Sequence, residues 1–125
     1  MPVIYKRSIT VKDLNDNPDT LFLFCENAEY SGDDEGLAKF RGEENAVGIR
    51  LKYRSGNKRS AHISCESSFE GFAFLDEDLE PVLEHAKAGG TVVIPSHGFV
   101  PSRLCEDVKA YLLEKLEEME DDGDE

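Results

Sequence analysis

The chain has 125 residues and a formal net charge of −13 at pH 7, and this length is typical of one domain with its own core. No apolar run approaches the roughly 20 residues that span a membrane, and the N-terminal segment becomes polar too soon for a secretory signal. Direct nucleic-acid binding is disfavoured as well, because phosphates repel an acidic surface.

The first third of the chain alternates apolar runs with a helical signal. Residues 3–9 predict a strand, and a short helix over 11–16 follows, with Thr10 and Asp13 as a capping box. Residues 20–24 then predict a buried central strand, because the run is almost wholly apolar and is bounded by polar residues.

Three elements are predicted in the middle of the chain. Residues 35–40 favour a short helix that ends at Gly42. Residues 46–53 alternate apolar and polar side chains, which indicates a half-exposed strand with a basic outer face. Residues 61–65 favour a further strand, paired to the previous one as a hairpin.

A helix follows, after a stretch that is harder to interpret. Three phenylalanines around Gly71 indicate a loop that aromatic side chains anchor. Asp76 or Asp78 then caps a helix that continues through Ala88, which places Pro81 in its first turn, where proline is tolerated.

The C-terminal third predicts a second buried strand and a last helix. The strand covers residues 91–95, and Ser102 caps a helix over 103–119 whose apolar residues repeat at helical spacing. Residues 120–125 hold no apolar side chain, so we expect them to form a disordered acidic tail.

Strands that alternate with helices predict an α/β fold. We expect residues 1–119 to form a single-domain three-layer sandwich, with a mixed sheet of about five strands. The segments after the two buried strands, residues 25–27 and 96–98, would then lie near each other. Ligands of such sheets bind beyond the carboxyl ends of the strands, so these segments outline a nucleotide-sized cleft.

The three cysteines, Cys25, Cys65 and Cys105, are scattered through the chain. An odd count without paired spacing favours reduced thiols over a disulfide framework, and therefore a reducing compartment. We expect a cytoplasmic protein.

One segment opposes the overall acidity of the chain. Five basic residues lie within ten positions that contain no acid: Arg50, Lys52, Arg54, Lys58 and Arg59. Two interpretations remain open. The segment is either a solvated strand edge that balances acidic neighbours, which we favour, or a docking patch for an anionic ligand or an acidic partner.

The run Arg41-Gly42-Glu43-Glu44-Asn45-Ala46-Val47-Gly48-Ile49 carries a motif. With it, residues 18–52 resemble a family of small, largely uncharacterised phage and bacterial proteins. Their pattern is an apolar strand, Phe-Gly-Asp-Asn, a glycine-rich loop and Arg-Gly-Glu-x-Asn-Ala-x-Gly-Ile, and later Val-Val-x-Pro and Gly-Ile-Gly-Thr-Gly. The matching positions are Phe24, Asn27, Gly32, Arg41, Gly42, Glu43, Asn45, Ala46, Gly48, Ile49, Lys52, Val92, Val93, Pro95 and Gly98.

The resemblance implies a macrodomain-like or Rossmann-like fold of the kind that binds nucleotides. It implies that a ligand would contact five residues: Asn27, Arg41, Asn45, Ser96 and Gly98. For Arg41 and Asn45, the alternative is that they tie the loop to the sheet, because such residues beside glycines often serve loop architecture.

The sequence also departs from that pattern. Cys25 and Glu26 replace a glycine and an aspartate, Asp34-Glu35 replaces a glycine pair, and Val100-Pro101-Ser102 replaces Gly-Thr-Gly. Glycine loops bind phosphate because their bare N–H groups approach the oxygens closely. Carboxylates and a proline oppose this, so we expect phosphate binding to be lost or changed.

No catalytic or metal-binding pattern is strong. Cys25 lies at a strand exit, but no sequence context marks an activating base. The histidines and cysteines at positions 62, 65, 97 and 105 match no zinc spacing. The acids at positions 26 and 33–35 are typical of a charged surface loop. We therefore predict no catalytic residue, no metal and no cofactor.

These observations favour a small acidic non-enzymatic interaction protein of phage or bacterial origin, in the host cytoplasm if a phage encodes it. Its partner would be a protein with a basic surface, and the acidic surface would dock on it or mimic the charge of nucleic acid. The alternative is a nucleotide or ADP-ribose-type ligand-binding domain, with hydrolase activity as an extension of that role.

Overall fold

The computed structural model describes residues 3–32, 38–56, 58–97 and 99–123, with side chains through Glu120. Within these ranges, four strands and three helices follow one another in chain order: β1 (Val3–Lys6), α1 (Val11–Asp16), β2 (Leu21–Asn27), β3 (Ala46–Lys52), α2 (Ser68–Lys87), β4 (Val92–Pro95) and α3 (Glu106–Gly123). Single 3-10 turns cover residues 38–40, 59–61 and 65–67.

The strands form one sheet in the order β1-β4-β2-β3, and every pairing between them is parallel. The α/β class is therefore confirmed. The sheet differs from the predicted mixed sheet of about five strands, because residues 61–65 do not form a strand. After a single antiparallel bridge between Lys52 and His62, the chain enters the 3-10 turn at Cys65–Ser67.

The sheet separates two apolar clusters of unequal size. On one face, α2 and α3 pack against Leu23, Ile49 and Ile94, which are almost fully buried. On the other face, the smaller cluster consists of Leu14, Phe22, Phe24, Phe40 and Val93. Neighbouring residues of β2 point to opposite faces, as the period of two in a strand requires.

Helix α2 begins at Ser68, well before the predicted caps Asp76 and Asp78, so Pro81 lies well inside it and not in the first turn. The phenylalanines that indicated a loop are helical. Gly71, which suggested a loop, lies against α3: a Cβ atom there would be 2.9 Å from Cγ2 of Val108. The glycine thus permits close packing of two helices and does not mark a turn.

The structure confirms the predicted start of α1 and differs from the predicted start and end of α3. Thr10 and Asp13 form the expected capping box of α1. A hydrogen bond from Lys6, and then the Thr10 N–H, lower the pKa of Asp13. Helix α3 begins at Glu106, so Ser102 does not cap it, and it continues to Gly123 through the first four residues of the predicted tail.

Residues 124 and 125, the end of the predicted tail, lie outside the described residues. Near the end of α3, Glu120 approaches β1: burial, and then the Glu120 carboxylate, raise the pKa of Tyr5. Of the helices in the described ranges, none is long and apolar enough to cross a bilayer.

A disulfide joins Cys65 and Cys105, with their Cα atoms 5.0 Å apart. The expectation of three reduced cysteines was therefore wrong, and the cysteine count gives no support to a reducing compartment. The two residues precede α2 and α3, and the close packing of those helices near Gly71 brings them together. A pairing that depends on this contact across 40 residues is not visible in sequence spacing.

Candidate functional site

The crossovers of the sheet change sides at β4. The connections from β1 to β2 and from β2 to β3 pass on the side of the smaller cluster, which contains Leu14 and Phe40. The connection from β3 to β4 is α2, on the opposite side. Such a reversal opens a crevice at the carboxyl ends of the strands, where α/β proteins bind ligands.

A buried ion pair closes one side of this region. Glu26, at the end of β2, is buried, and it accepts two hydrogen bonds of 2.6 Å from the Arg41 guanidinium. Arg41 also donates to the Ser31 carbonyl at 3.0 Å. Gly48 on β3 leaves the space that the Glu26 side chain occupies, since a Cβ there would lie 3.0 Å from Glu26 Cβ.

The Asn27 side chain organises the turn that follows β2. Its Nδ2 donates to the Ser31 carbonyl at 2.8 Å, and its Oδ1 accepts from the backbone N–H of Glu29 at 3.0 Å. Asn27 and Arg41 therefore meet at Ser31, as the prediction of a shared site requires. Their visible contacts hold the loop, however, which is the architectural alternative that the sequence left open.

Of the other predicted ligand contacts, two are described. Asn45 lies at the opposite, amino end of the sheet, where its Nδ2 donates to the carbonyls of Leu14 and Asn17 at 3.0 Å each. Ser96 is exposed at the exit of β4, and its backbone N–H donates to the Lys6 carbonyl at 2.8 Å. Gly98 lies outside the described residues.

A cavity of about 220 Å³ opens at the carboxyl ends of β1, β2 and β4. It is lined by Ser8, Ile9, Leu23, Phe24, Cys25, Lys39, Phe40, Pro95, His97 and Phe99. The cleft predicted from residues 25–27 and 96–98 includes Cys25 and His97, which line this cavity, but it does not include Ser8, Lys39 or Phe99. Only the strand order, which the sequence did not supply, brings these segments together.

Two of the basic residues at positions 50–59 stabilise the fold. Arg50 binds Asp78 of α2 through its guanidinium at 2.9 Å and through its backbone N–H at 2.8 Å, and this partner raises the pKa of Arg50. Lys52 is buried and donates to the Gly56 carbonyl at 2.5 Å. The favoured interpretation, a strand edge balanced by acids, thus fits Arg50, while Arg54, Lys58 and Arg59 are exposed.

The helical layer formed by α2 and α3 is strongly acidic. These two helices hold 14 acidic residues and three lysines, so they carry −11 of the chain's −13. Two apolar side chains stand exposed in the same layer: Phe69 on α2 at 69% and Leu113 on α3 at 46%. The outer surface of the layer therefore combines dense negative charge with apolar contact points.

The two helices are also linked to each other by polar groups. The Tyr111 hydroxyl donates to Asp76, and this hydrogen bond is the main cause that raises the pKa of Tyr111 to about 12. Phe72 packs on the Tyr111 ring with a centroid distance of 5.0 Å. The acidic surface is therefore carried by two helices held in a fixed arrangement.

Only one cluster in the described ranges groups metal-ligand residue types: Cys65, Cys105 and Asp107, with ligand atoms within 4.8 Å of one another. The two sulfur atoms are bonded to each other. Zinc and related ions bind thiolates, so the oxidised pair leaves a single carboxylate, which does not make a ligand set.

Comparison with known proteins identifies a family but no characterised relative. A model for a family of unknown function, DUF7831, matches residues 4–105. No curated protein matches the chain. No solved structure matches it either.

Proposed function

The chain belongs to the DUF7831 family, and we propose that it is a small non-enzymatic interaction protein, of phage or bacterial origin, that binds a macromolecule with a basic surface. The acidic outer surface of α2 and α3 is the docking surface. The observation that carries the proposal is the net charge of −11 on these two helices, whereas the rest of the chain is almost neutral.

Charge of this density acts on association in two ways. It steers a positively charged partner toward one side of the molecule, and it repels acidic competitors. Both effects weaken with salt, because the Debye length is about 8 Å at physiological ionic strength. We therefore expect salt-sensitive binding, with like-charged macromolecules excluded.

The exposed apolar residues add contact area to the charged surface. Interfaces gain much of their affinity from a few large side chains that become buried, while exposed ion pairs contribute little each. Phe69 and Leu113 are the exposed large apolar residues that this layer offers. A basic amphipathic helix, with lysines beside a leucine stripe, has the chemistry that complements this surface.

The test uses a fluorescein-labelled amphipathic lysine/leucine peptide and measures anisotropy. The variant Glu80→Lys/Glu114→Lys reverses one exposed charge on each helix, and Asp19→Lys/Glu44→Lys makes the same change outside the layer. We expect the first variant to weaken binding about tenfold, the worth of two exposed charge pairs. Equal weakening in both variants would contradict the proposal, because it would indicate attraction by net charge alone.

The exposed phenylalanine gives a second, independent arm of the same test. Phe69→Ser removes an apolar contact without changing charge, and Ile4→Thr does the same on β1, where Ile4 is 50% exposed. We expect only Phe69→Ser to weaken peptide binding. An unchanged affinity in Phe69→Ser would contradict the proposal that Phe69 contributes an apolar contact to the binding surface.

A second candidate is a macrodomain-like or Rossmann-like domain for a nucleotide or ADP-ribose-type ligand, with hydrolase activity as an extension. The observation that favours it is the change of crossover side at β4, with Ser96 exposed at the strand exit. Against it, Arg41 and Asn27 already bind Glu26 and the loop carbonyls.

Thermal shift tests this candidate directly. A ligand at 100 times its Kd adds about 2.7 kcal/mol to stability. AMP, NAD and ADP-ribose would therefore raise the Tm if the cleft binds nucleotides, and Ser96→Ala, at an exposed position, would reduce the shift. No shift with any of these compounds would exclude the candidate and leave the interaction role.

A further inference from the structure

The cavity at the carboxyl ends of β1, β2 and β4 lies apart from the outer surface of the helical layer. We propose that it binds a small ring compound that carries a carboxylate or a phosphate group. This second binding function does not rest on the interaction role proposed above, since it uses different residues and a different region of the fold.

The fold assembles the cavity from four separate segments. Ser8 follows β1, Cys25 belongs to β2, His97 follows β4, and Lys39 lies in the 3-10 turn between β2 and β3. These segments converge where the crossovers change sides, the position at which parallel α/β sheets bind ligands. The cavity is therefore placed by the topology and is not an accidental gap in surface packing.

The size of the cavity selects the ligand. An apolar cavity of roughly 150 Å³ in another protein binds benzene, whereas drug-sized ligands fill roughly 300–1,000 Å³. A volume of about 220 Å³ lies between these limits. It suits one substituted ring and is too small to enclose a whole nucleotide.

The walls suit an aromatic ring. Most of the lining residues are apolar, and three of them are buried phenylalanines: Phe24, Phe40 and Phe99. Aromatic pairs gain about 0.5–1.5 kcal/mol beyond their buried area. A flat ring between such walls is therefore favoured over a flexible chain of the same volume.

The polar groups of the cavity select an anion. The described residues that line it include a lysine, a histidine, a serine and a cysteine, and none of these described residues is acidic. The Lys39 Nζ lies 5.2 Å from the Phe40 ring centroid, so the ammonium is held beside an aromatic wall. Ammonium, imidazole N–H and hydroxyl groups are donors that a carboxylate or phosphate accepts from.

Cys25 allows the cavity to be probed without knowledge of the natural ligand. Cys65 and Cys105 are joined to each other, so in the unreduced protein Cys25 is the thiol that reacts with an aromatic disulfide. The Cys25 thiolate attacks one sulfur of the reagent, a mixed disulfide forms, and one aryl thiolate leaves with the electron pair. Absorbance of the released thiolate gives the rate, and Cys25→Ser gives the background.

The first arm compares two reagents, the dianionic dithionitrobenzoate and the neutral dithiodipyridine. We expect Lys39→Glu to lower the ratio of their rates about fivefold, the worth of one exposed charge pair. Lys109→Glu makes the same charge change on α3 and is expected to leave the ratio unchanged. An unchanged ratio in Lys39→Glu, or an equal fall in both variants, would overturn the proposal.

The second arm measures reversible binding as protection of Cys25 from dithiodipyridine. We expect benzoate or phenyl phosphate to slow the reaction with saturation, and neutral benzamide to have no effect. The more protective anion identifies the group that the cavity prefers. Equal protection by benzamide, protection by neither anion, or a Cys25 that does not react at all would each overturn the proposal.

Discussion

The two faces of the sheet differ in the size of the helices and of the apolar cluster that pack on them. On one face, two long helices bury most of the apolar core and hold most of the negative charge, and a disulfide joins the segments that precede them. On the other face, α1 has six residues, and the buried cluster has five members. The first face therefore supplies most of the stability, and the second leaves the carboxyl edge of the sheet open enough to form a cavity.

This difference separates two tasks that often conflict in small proteins. A surface that binds a partner benefits from a rigid support, because ordering costs free energy on association. A cavity at the sheet edge requires incomplete packing, which lowers stability. Here the acidic surface lies on the well-packed layer, and the cavity lies beside the lightly packed one.

The largest expected effect comes from truncating the larger core. Leu79→Ala removes a side chain buried at 0% exposure between α2 and the sheet, and we expect it to lower the free energy of unfolding by about 4 kcal/mol. Leu14→Ala, at 1% exposure in the smaller cluster, is expected to cost about 2 kcal/mol because its surroundings can collapse. Urea unfolding measures both, and equal losses would contradict the difference between the faces.

Reducing the disulfide is expected to have the next largest effect. The bridge closes a loop of 40 residues, for which the chain-entropy model gives about 4 kcal/mol, and measured values are often lower. We expect Cys65→Ser/Cys105→Ser to lose about 3 kcal/mol in urea unfolding. A loss below about 1 kcal/mol would show that packing alone holds the starts of α2 and α3 together.

Breaking the ion pair at the carboxyl edge is expected to cost less. Arg41→Met leaves the buried Glu26 carboxylate without its partner, but Arg41 itself is 23% exposed, so we expect a loss of about 2 kcal/mol. The double variant Glu26→Leu/Arg41→Met should recover part of that loss, since no buried charge then remains. A double variant less stable than Arg41→Met would contradict this expectation, because removal of the buried charge would then fail to restore stability.

The smallest effect is a pH dependence within the helical layer. Because the pKa of Tyr111 is raised to about 12, its hydrogen bond to Asp76 stabilises the fold fully below the unfolded tyrosine pKa of about 10. That contribution is lost as the pH rises through about 12. The stability difference between the protein and Tyr111→Phe should therefore shrink over this window.

Near-ultraviolet titration checks the assignment of that tyrosine. The chain has four tyrosines, and the ionisation that occurs at the highest pH should be absent from the titration of Tyr111→Phe. Asp76→Asn should move its ionisation to lower pH, because the acceptor carboxylate is removed. A late ionisation that persists in Tyr111→Phe would place the raised pKa on another residue.

The elements that depend on neighbouring residues could be predicted from the sequence. The capping box of α1 is a local signal, and it is present in the structure. Strand β3 also forms, but it is not the predicted half-exposed strand, since none of its residues is exposed and Lys52 is buried. Helix α2 ends at Lys87 with Ala88 as its C-cap, one residue from the predicted end at Ala88, and Gly89 follows with a φ of 89°. Such features rest on backbone conformation and strand period, which a short stretch of sequence encodes.

The errors arose where a distant contact decides the structure. Gly71 looked like a loop residue because the packing of Val108 against it is not visible in sequence. The cysteine pairing also depends on a distant contact, and in the segment predicted as a fifth strand the Ile63 carbonyl accepts a hydrogen bond from the distant Cys105 N–H. The predicted cleft at residues 25–27 and 96–98 lacked Ser8 and Lys39, because these two residues reach the cavity only through the strand order.

The most direct test of the central claim is a nuclear magnetic resonance titration of the labelled protein with the amphipathic lysine/leucine peptide. We expect chemical-shift changes to concentrate on the outer residues of α2 and α3, around Phe69 and Leu113, and to fade with added salt. Changes concentrated on α1, or spread evenly over both faces, would contradict the assignment of binding to the acidic helical layer.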